Sequence, residues 1–420
     1  MDNPSMAAIL SVMSTRKDII IVGGGLNGPI LALALAKSGH PVVVIDALDL
    51  PVLQDPEFDG RAYALALTSQ RMLTALGLWE ALADSAQPML EIKVTDGHAG
   101  QGPSPFFMHF VHAEIEEGPM GYMVEDRHLR QLLLRALSDE PLIRQINGKA
   151  VVDQEAALNG VRVTLDDGQS LEGCLLVGCD GRQSAVAARA GIKRTGWGYD
   201  QTALVCAIGH EYAHDGIAHQ FFMTGGPLAI LPLTGQRSAI VWSERRAQAE
   251  AIHRLDDAAY LAALRPRFGD FLGDISLAGK RYAYPLGLSL ANAMVAPRVA
   301  LVGDAAHGVH PIAGQGLNAG FRDIAALSEV LTEAARRGED VGSELVLARY
   351  QQWRRFDIAA LALATDAFNR LFSNDNPLLR IGRDIGMGVI NAAPRLRRGF
   401  IREAAGLTGD LPRLMKGQMI

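Results

Sequence analysis

DIIIVGGGLNGPILALALAKSGHPVVVID, residues 18–46, is the stretch that sets the fold. Asp18 to Val22 is a β-branched run, as expected of a strand covered on both faces. Gly23, Gly25 and Gly28 follow it and open the apolar run PILALALAKSG, which reads as a helix. A second strand, Pro41 to Ile45, ends at Asp46, 18 residues after Gly28. Each part has a physical reason: Gly23 permits a tight turn, Gly25 lets the backbone approach a pyrophosphate, and Gly28 lets helix and strand pack closely. Asp46 can accept hydrogen bonds from a ribose diol. Pro29 falls in the first helical turn, where a missing N–H is tolerated. A glycine-rich turn without a ligand would share the GxGxxG spacing, but strand, helix and acid in register favour a nucleotide. No second full GxGxxG is present for a nicotinamide nucleotide.

Two later stretches repeat the theme of a carboxylate where a strand gives way to a helix. Leu175 to Cys179 is an apolar strand ending in Asp180-Gly181-Arg182-Gln183-Ser184, before the helical run AVAARAGI. Asp180 reads as a helix cap, a ligand, or both. Cys179 beside it reads as a small buried apolar residue. RVALVGDAAHGVHPIAGQGLNA, residues 298–319, opens with the strand Val299 to Val302, which Gly303 and Asp304 end. A loop from His307 to Gln315 containing Pro311 and Gly314 then leads past Gly316 to a helix expected from Leu317 onward. Such a helix start offers unpaired N–H groups and partial positive charge to an electron-rich ligand.

The intervening chain supplies the rest of the architecture. Arg61-Ala62-Tyr63-Ala64-Leu65 leads into a helix expected over Ser69 to Leu82. Glu91 to Thr95 and Phe106 to Val111 read as strands flanking a turn cluster, GHAGQGPSP. Asp126 is expected to cap the helix HLRQLLLRAL. Val161 to Leu165 and Ser170 to Val177 form a hairpin around Asp167-Gly168. Thr202 to Ile208, Gln220 to Met223, Leu228 to Leu233 and Ser238 to Trp242 predict a mainly antiparallel sheet, interrupted by one amphipathic helix, Asp256 to Arg265. From Gly342 the chain is expected to be mostly helical, with a break at LFSNDNP (371–377).

Composition bounds the function. A chain of 420 residues with 49% hydrophobic content and a net charge of −6 describes a soluble globular protein of two or more domains, and argues against general nucleic-acid binding. The three cysteines, Cys174, Cys179 and Cys206, lack CxxC spacing, so the cytosol is the default compartment. The apolar patch Met6 to Met13 lacks a basic leader and a convincing cleavage site, and no window of 18 apolar residues predicts a membrane span. Residues 380–420 carry eight Arg or Lys against three acids. Arg395, Arg397, Arg398 and Arg402 there read either as a solvated helix or as peripheral contact with the inner face of a membrane or a partner complex. His307 and His310 near Asp304 have too little ligand geometry for a metal, and no metal is expected. His214 and His219 read as surface-loop histidines rather than substrate contacts.

The three turns, GGGLNG (23–28), CDGRQS (179–184) and LVGDAAHGVHPIAGQGLNAG (301–320), together resemble the single-component flavoprotein aromatic hydroxylases with the p-hydroxybenzoate-hydroxylase-like fold. The third motif is most similar to the ubiquinone-biosynthesis hydroxylase branch, as are RAYAL (61–65), LGLW (76–79), EDRHLRQLLL (125–134), GPLAILPL (226–233), LFSNDNP and AAGL (404–407). The resemblance implies an α/β chain, α+β overall: a Rossmann-like FAD-binding domain over 14–90, 120–195 and 291–340, a mainly antiparallel substrate domain over 91–119 and 196–290, and a helical C-terminal region over 341–420. It implies that Gly23, Gly25 and Gly28 hold the FAD pyrophosphate and Asp46 the adenosine ribose, with Arg61 and Arg127 near the cofactor. Asp180 and Gly181 match a motif assigned to FAD and reduced nicotinamide, and Asp304 would meet the ribityl or pyrophosphate. Gly316, Leu317 and Asn318 would offer backbone groups to the flavin ring, and Pro311 would border its oxygen-reacting face. The implied activity is O2- and NAD(P)H-dependent hydroxylation of the aromatic ring of a polyprenylated ubiquinone precursor through a flavin hydroperoxide, with no side-chain base assigned. Alternatives left open are a hydroxylase of a small soluble aromatic, a reductase of a prenyl chain, and a non-catalytic prenyl-binding protein of the same fold.

Overall fold

The computed structural model describes residues 18–53, 55, 57, 59–98, 102–223, 225–309, 314–372, 386, 388 and 390–420. Ile19–Val22 is the central strand of a six-stranded sheet whose order runs Val295–Ala296, Val299–Leu301, Leu175–Gly178, Ile19–Val22, Val42–Asp46, Ile143–Asn147. All neighbours pair in parallel except the two edge strands at 295–301. Ile19, Ile20 and Ile21 are buried, as parallel strands covered on both faces require. The helix Asn27–Lys37 is buried from Gly28 to Ala36. It packs on that sheet and between the helices Gln315–Arg336 and Asp126–Asp139. Ile30, Leu31, Leu33 and Leu35 are almost wholly removed from water, each stabilising the fold by about 2 kcal/mol.

A nine-stranded sheet forms the second layer among the described residues. Its order is His307–Gly308, Tyr282–Ala291, Arg194–His210, Arg237–Arg245, Gly226–Leu233, Ile217–Met223, Glu91–His98, Gly102–Val111, with Ile275–Leu277 paired to Arg194–His210. It is antiparallel except where Ile217–Met223 meets Glu91–His98 in parallel. One face is covered by helices Arg246–His253 and Asp257–Phe268, which pack on Leu204, Cys206, Leu228, Ile230, Ile240 and Trp242. The opposite face carries Ala207, Ala218, Leu231, Leu233 and Ala239. These meet Met89, Met123, Ala62 and Ala64 of a small sheet, Ala62–Ala66, Gly121–Glu125 and Ala86–Met89.

Several local expectations are corrected. Asp126 does not cap its helix: it is the first helical residue, and its carboxylate accepts from Tyr63 and Arg130 instead. The helix expected over Ser69 to Leu82 runs Leu67–Ala75 and closes at Gly77, whose φ of 70° suits glycine. Ser170 to Val177 is two strands, Ser170–Gly173 and Leu175–Gly178, and these belong to different sheets. Two helices rather than one interrupt the antiparallel sheet, and Asp256 caps the second by accepting from the Ala259 N–H at 2.8 Å. The turn cluster GHAGQGPSP is mostly strand, with residues 99–101 outside those described. Of LFSNDNP, Leu371 and Phe372 close the helix Glu344–Phe372, and residues 373–377 lie outside those described.

Candidate functional site

Three chain turns converge at the C-terminal edge of the parallel sheet, where open α/β sheets bind their ligands. The first is Gly23 to Gly28. A Cβ at Gly28 would lie 1.9 Å from the Gly23 carbonyl oxygen, and one at Gly23, where φ is 110°, would lie 2.4 Å from the Cys179 carbonyl oxygen. Those two glycines are therefore required by the chain's own packing. Gly25 differs: a Cβ there would meet nothing within 4 Å, so its bare backbone leaves room for a bulky group at the helix start. The helix Asn27–Lys37 begins with no side-chain cap and no acid in its first turn. Asp46 sits at the adjoining strand end, where the N–H groups of Gly24 and, at 2.7 Å, Leu48 donate to its carboxylate.

The second turn holds Asp180. Its carboxylate accepts from Ser184 Oγ at 2.6 Å and from the Val186 N–H at 3.0 Å, while Ser184 caps the helix Ala185–Arg189 through the Ala187 N–H. Asp180 therefore helps start that helix. Gly181 beside it has φ of 80° and open space at its Cβ position. Burial pushes the Cys179 thiol well above its usual pKa, so it is an unreactive neighbour.

The third turn is Gly303 to His307. Asp304 keeps 43% of its side chain exposed, facing Arg182 at 3.3 Å. Arg194 binds the backbone of the same turn at Asp304 and Ala305. The following helix starts at Gln315, two residues earlier than expected, after Gly314 in the left-handed region at φ 64°. It too has no side-chain cap and no first-turn acid, so the N–H groups of Gly316 and Leu317 have no partner within the helix. Gly316 has open space at its Cβ position. Asn318 is buried, and its side-chain amide is fully engaged. Oδ1 accepts from the Ala66 N–H (2.8 Å) and Ser69 Oγ (2.7 Å), and Nδ2 donates to the Ala64 and Gly314 carbonyls (2.8 and 3.0 Å). Pro311 and His310 lie outside the described residues.

Asn27 joins the first turn to the third. Cβ atoms at Gly303 and Gly320 would lie 2.1 and 2.7 Å from its amide, so the Asn27 side chain sits directly against both backbones. Arg61 and Arg127 stand at the other end of the strand Ala62–Ala66 from Asn318. Arg61 pairs with Asp59 (2.6 Å) and Asp126 (3.4 Å). Arg127 pairs with buried Glu125 (2.8 Å), which Arg237 of the broad sheet also holds (2.6 Å).

Beside the Gln315 helix start lies an apolar floor. Gly314 abuts Ala64, and Ala62, Ala64 and Leu231 all pack against the cluster that holds Ala207 and Ala239. Of GPLAILPL, Leu228 and Ile230 point away into the helix-covered core, so by alternation Ala229 and Leu231 face the site. Register places Val205, Val241, Ala229 and Gln220 in one row across four strands, and Ala207, Ala239 and Leu231 in the next. Val205, Val241, Ala229 and Leu231 keep part of their surface exposed. His219, expected on a surface loop, is instead in the strand Ile217–Met223 on the opposite face, 4.6 Å from the Phe271 ring, and burial pushes its pKa down to about 4. His214 is held by the Leu233 carbonyl at 2.7 Å and accepts from the Gly216 N–H. Among the described residues no group of three or more His, Cys, Asp or Glu is placed to hold a metal.

Two uncapped helix starts on one sheet edge, open glycines at 25 and 316, and carboxylates at the flanks fit a long anionic dinucleotide. The protein comparisons agree. The family described as "FAD binding domain" matches residues 16–364. Ubiquinone hydroxylase UbiL of Rhodospirillum rubrum is 45% identical over 403 residues, covering 95% of this chain and 92% of its own. The 3-demethoxyubiquinol 3-hydroxylase of Escherichia coli is 34% identical, covering 93% and 98%. Among solved structures, p-nitrophenol 4-monooxygenase PnpA of Pseudomonas putida superposes with a TM-score of 0.78 at 20% identity, covering 94% and 98%, which shows a shared fold. The chain belongs to the FAD-binding flavoprotein monooxygenases, in the family of the ubiquinone hydroxylases, and FAD is its cofactor.

Proposed function

We propose that this monooxygenase hydroxylates the aromatic ring of a polyprenylated ubiquinone precursor, with O2 and NADH or NADPH as co-substrates. The observation that carries the reading is the half-exposed apolar floor beside an uncapped helix start, in a chain 45% identical to a ubiquinone hydroxylase. Bound FAD, once reduced, supplies the activation of O2 and the transfer of one oxygen atom to the ring. The chain's own residues bind, orient and exclude water. In this reading Gly25 admits the diphosphate while Gly23 and Gly28 shape the turn, and Asp46 receives the adenosine ribose. Asp180 and Gly181 border the dinucleotide, Asp304 meets its middle, and Arg61 and Arg127 add positive charge on the side of the strand Ala62–Ala66. The N–H groups at Gly316 and Leu317 stabilise negative charge on the reduced ring, and Asn318 serves the ring by fixing that helix start. Pro311 keeps its sequence-based role at the oxygen-reacting face. The floor of Val205, Val241, Ala229 and Leu231 keeps the site dry and accepts an apolar ring with a lipid tail.

Among the described residues no helix is long and apolar enough to cross a membrane. The helix Pro394–Ala404 supports peripheral contact instead. Arg397 and Arg402 pair with Glu114 and Glu117, while Arg395 and Arg398 are exposed beside Leu396 and Phe400. That pairing of exposed cations and apolar groups suits an anionic lipid surface. The purified FAD-loaded enzyme tests the proposed function. Oxygen uptake coupled to hydroxylated product is expected with a polyprenylated phenol and not with its tail-less analogue; equal coupling with both would sink the substrate assignment. Deleting the gene is expected to make one quinone precursor accumulate, and unaffected quinone synthesis would count against the reading in the same way.

A further inference from the structure

Behind the site lies a buried ionic chain that the functions assigned above leave unused. Asp323, two turns into the helix Gln315–Arg336, is fully buried, as is His307. Asp323 Oδ2 accepts from the Gly303 N–H at 3.0 Å and from His307 Nε2 at 2.6 Å. Its Oδ1 accepts from Arg354 Nε at 2.7 Å, and Arg354 reaches on to Asp357 at 2.7 Å. One carboxylate oxygen therefore holds both ends of the turn from Gly303 to His307, whose middle presents Asp304 outward. The helix carrying that carboxylate is the one whose first N–H groups open onto the same site. His307 also pairs with Leu290 of the broad sheet, so the substrate side is tied to the same point.

We propose that His307 and Asp323 are positioning residues that keep Asp304 in register with the N–H groups of Gly316 and Leu317, so that both can engage one FAD. The inference rests on the reading that FAD spans the third turn and this helix start. Two contacts on one ligand add fully only when their spacing on the protein is fixed in advance. A buried carboxylate shared by two backbone-anchoring donors, and charge-balanced by Arg354, supplies that fixed spacing. Neither residue touches the cofactor in this scheme. Their effect is exerted through Asp304 and the helix start.

The test compares full-length wild type, His307→Gln and His307→Asn, each reconstituted with FAD. A Gln amide reaches close to where imidazole Nε2 sits and an Asn amide falls short of it, while both are neutral and polar. The Asn variant is expected to bind FAD about tenfold more weakly, with a shifted flavin absorbance spectrum and midpoint potential. The Gln variant is expected to restore all three. An Asn variant with native circular dichroism, wild-type FAD affinity and unchanged potential would overturn the proposal alone. Equal loss in both variants would do so too, because mere packing would then explain the effect. If neither variant folds, hydrogen exchange on the wild type decides. FAD is expected to slow the amides of Gly303 and of 316–317 together, and protection of one segment without the other overturns the inference. Wild type that takes up no FAD would instead overturn the cofactor reading on which it stands.

Discussion

Two helices open onto the cofactor site, and they are secured by different means. Asn27–Lys37 is held by absent side chains: Gly23 and Gly28 bring backbone against backbone, and nearly the whole helix is buried apolar surface. Gln315–Arg336 is held by side chains from afar, with Asn318 clasping the strand Ala62–Ala66 and Asp323 gripping the third turn and Arg354. The first arrangement tolerates no added atom. The second tolerates no lost hydrogen bond. Steric exclusion is insensitive to pH, whereas a buried ionic anchor is not, so the two starts should fail under different conditions.

The largest expected effect separates the glycines of the first start. Gly28→Ala would force a Cβ to 1.9 Å from a backbone oxygen and should cost on the order of 4 kcal/mol or prevent folding. Gly25→Ala should change stability by less than about 1 kcal/mol yet weaken FAD binding by about tenfold or more. Thermal melts and flavin fluorescence titrations check both, and equal destabilisation by the two would break the division between packing and ligand glycines. Next comes Arg354→Met, which leaves a buried carboxylate short of its cation and should cost about 3–5 kcal/mol by urea unfolding. Asn318→Ala removes a clasp of four hydrogen bonds and should cost about 2–3 kcal/mol, with FAD affinity falling alongside; an unchanged melting temperature would show that the second start does not depend on side chains.

The smallest effect is the acid response. Burial alone would raise the Asp323 pKa, but its contacts with His307 and Arg354 hold it below the usual carboxylate range. Its stabilisation is therefore fully present above the unfolded value of about 3.9 and is lost as pH falls below that through the lower folded value. Hydrogen exchange in that window should show Gly303 and residues 315–318 opening before residues 23–28. Simultaneous opening would erase the contrast.

The first start was legible because glycine has few reasons to recur at fixed spacing between a strand and a helix. The same logic located Asp180, Asp304 and the third turn, and family likeness supplied FAD. What stayed hidden has a common cause. Asp323 and Arg354 lie on amphipathic helices, where a charged residue ordinarily faces water, and nothing local distinguishes the two that are buried. Asn318 is read for its backbone in the sequence, yet three of its four side-chain hydrogen bonds go to groups about 250 residues away. Leu228 to Leu233 reads as one apolar strand, but alternation turns Leu228 and Ile230 away and gives Ala229, Leu231 and Leu233 to the other face.

The sequence by itself determined the parallel sheet, the turns at its edge and a nucleotide as ligand, because these follow from backbone conformations and short-range spacing that few residues permit. Only the tertiary structure decided what aligns those turns: a carboxylate oxygen shared by Gly303 and His307, an Asn27 amide fitted between Gly303 and Gly320, and a floor assembled in register across four strands. Those depend on distances between segments far apart in the chain, and burial changes the meaning of a charge in ways that local pattern does not record.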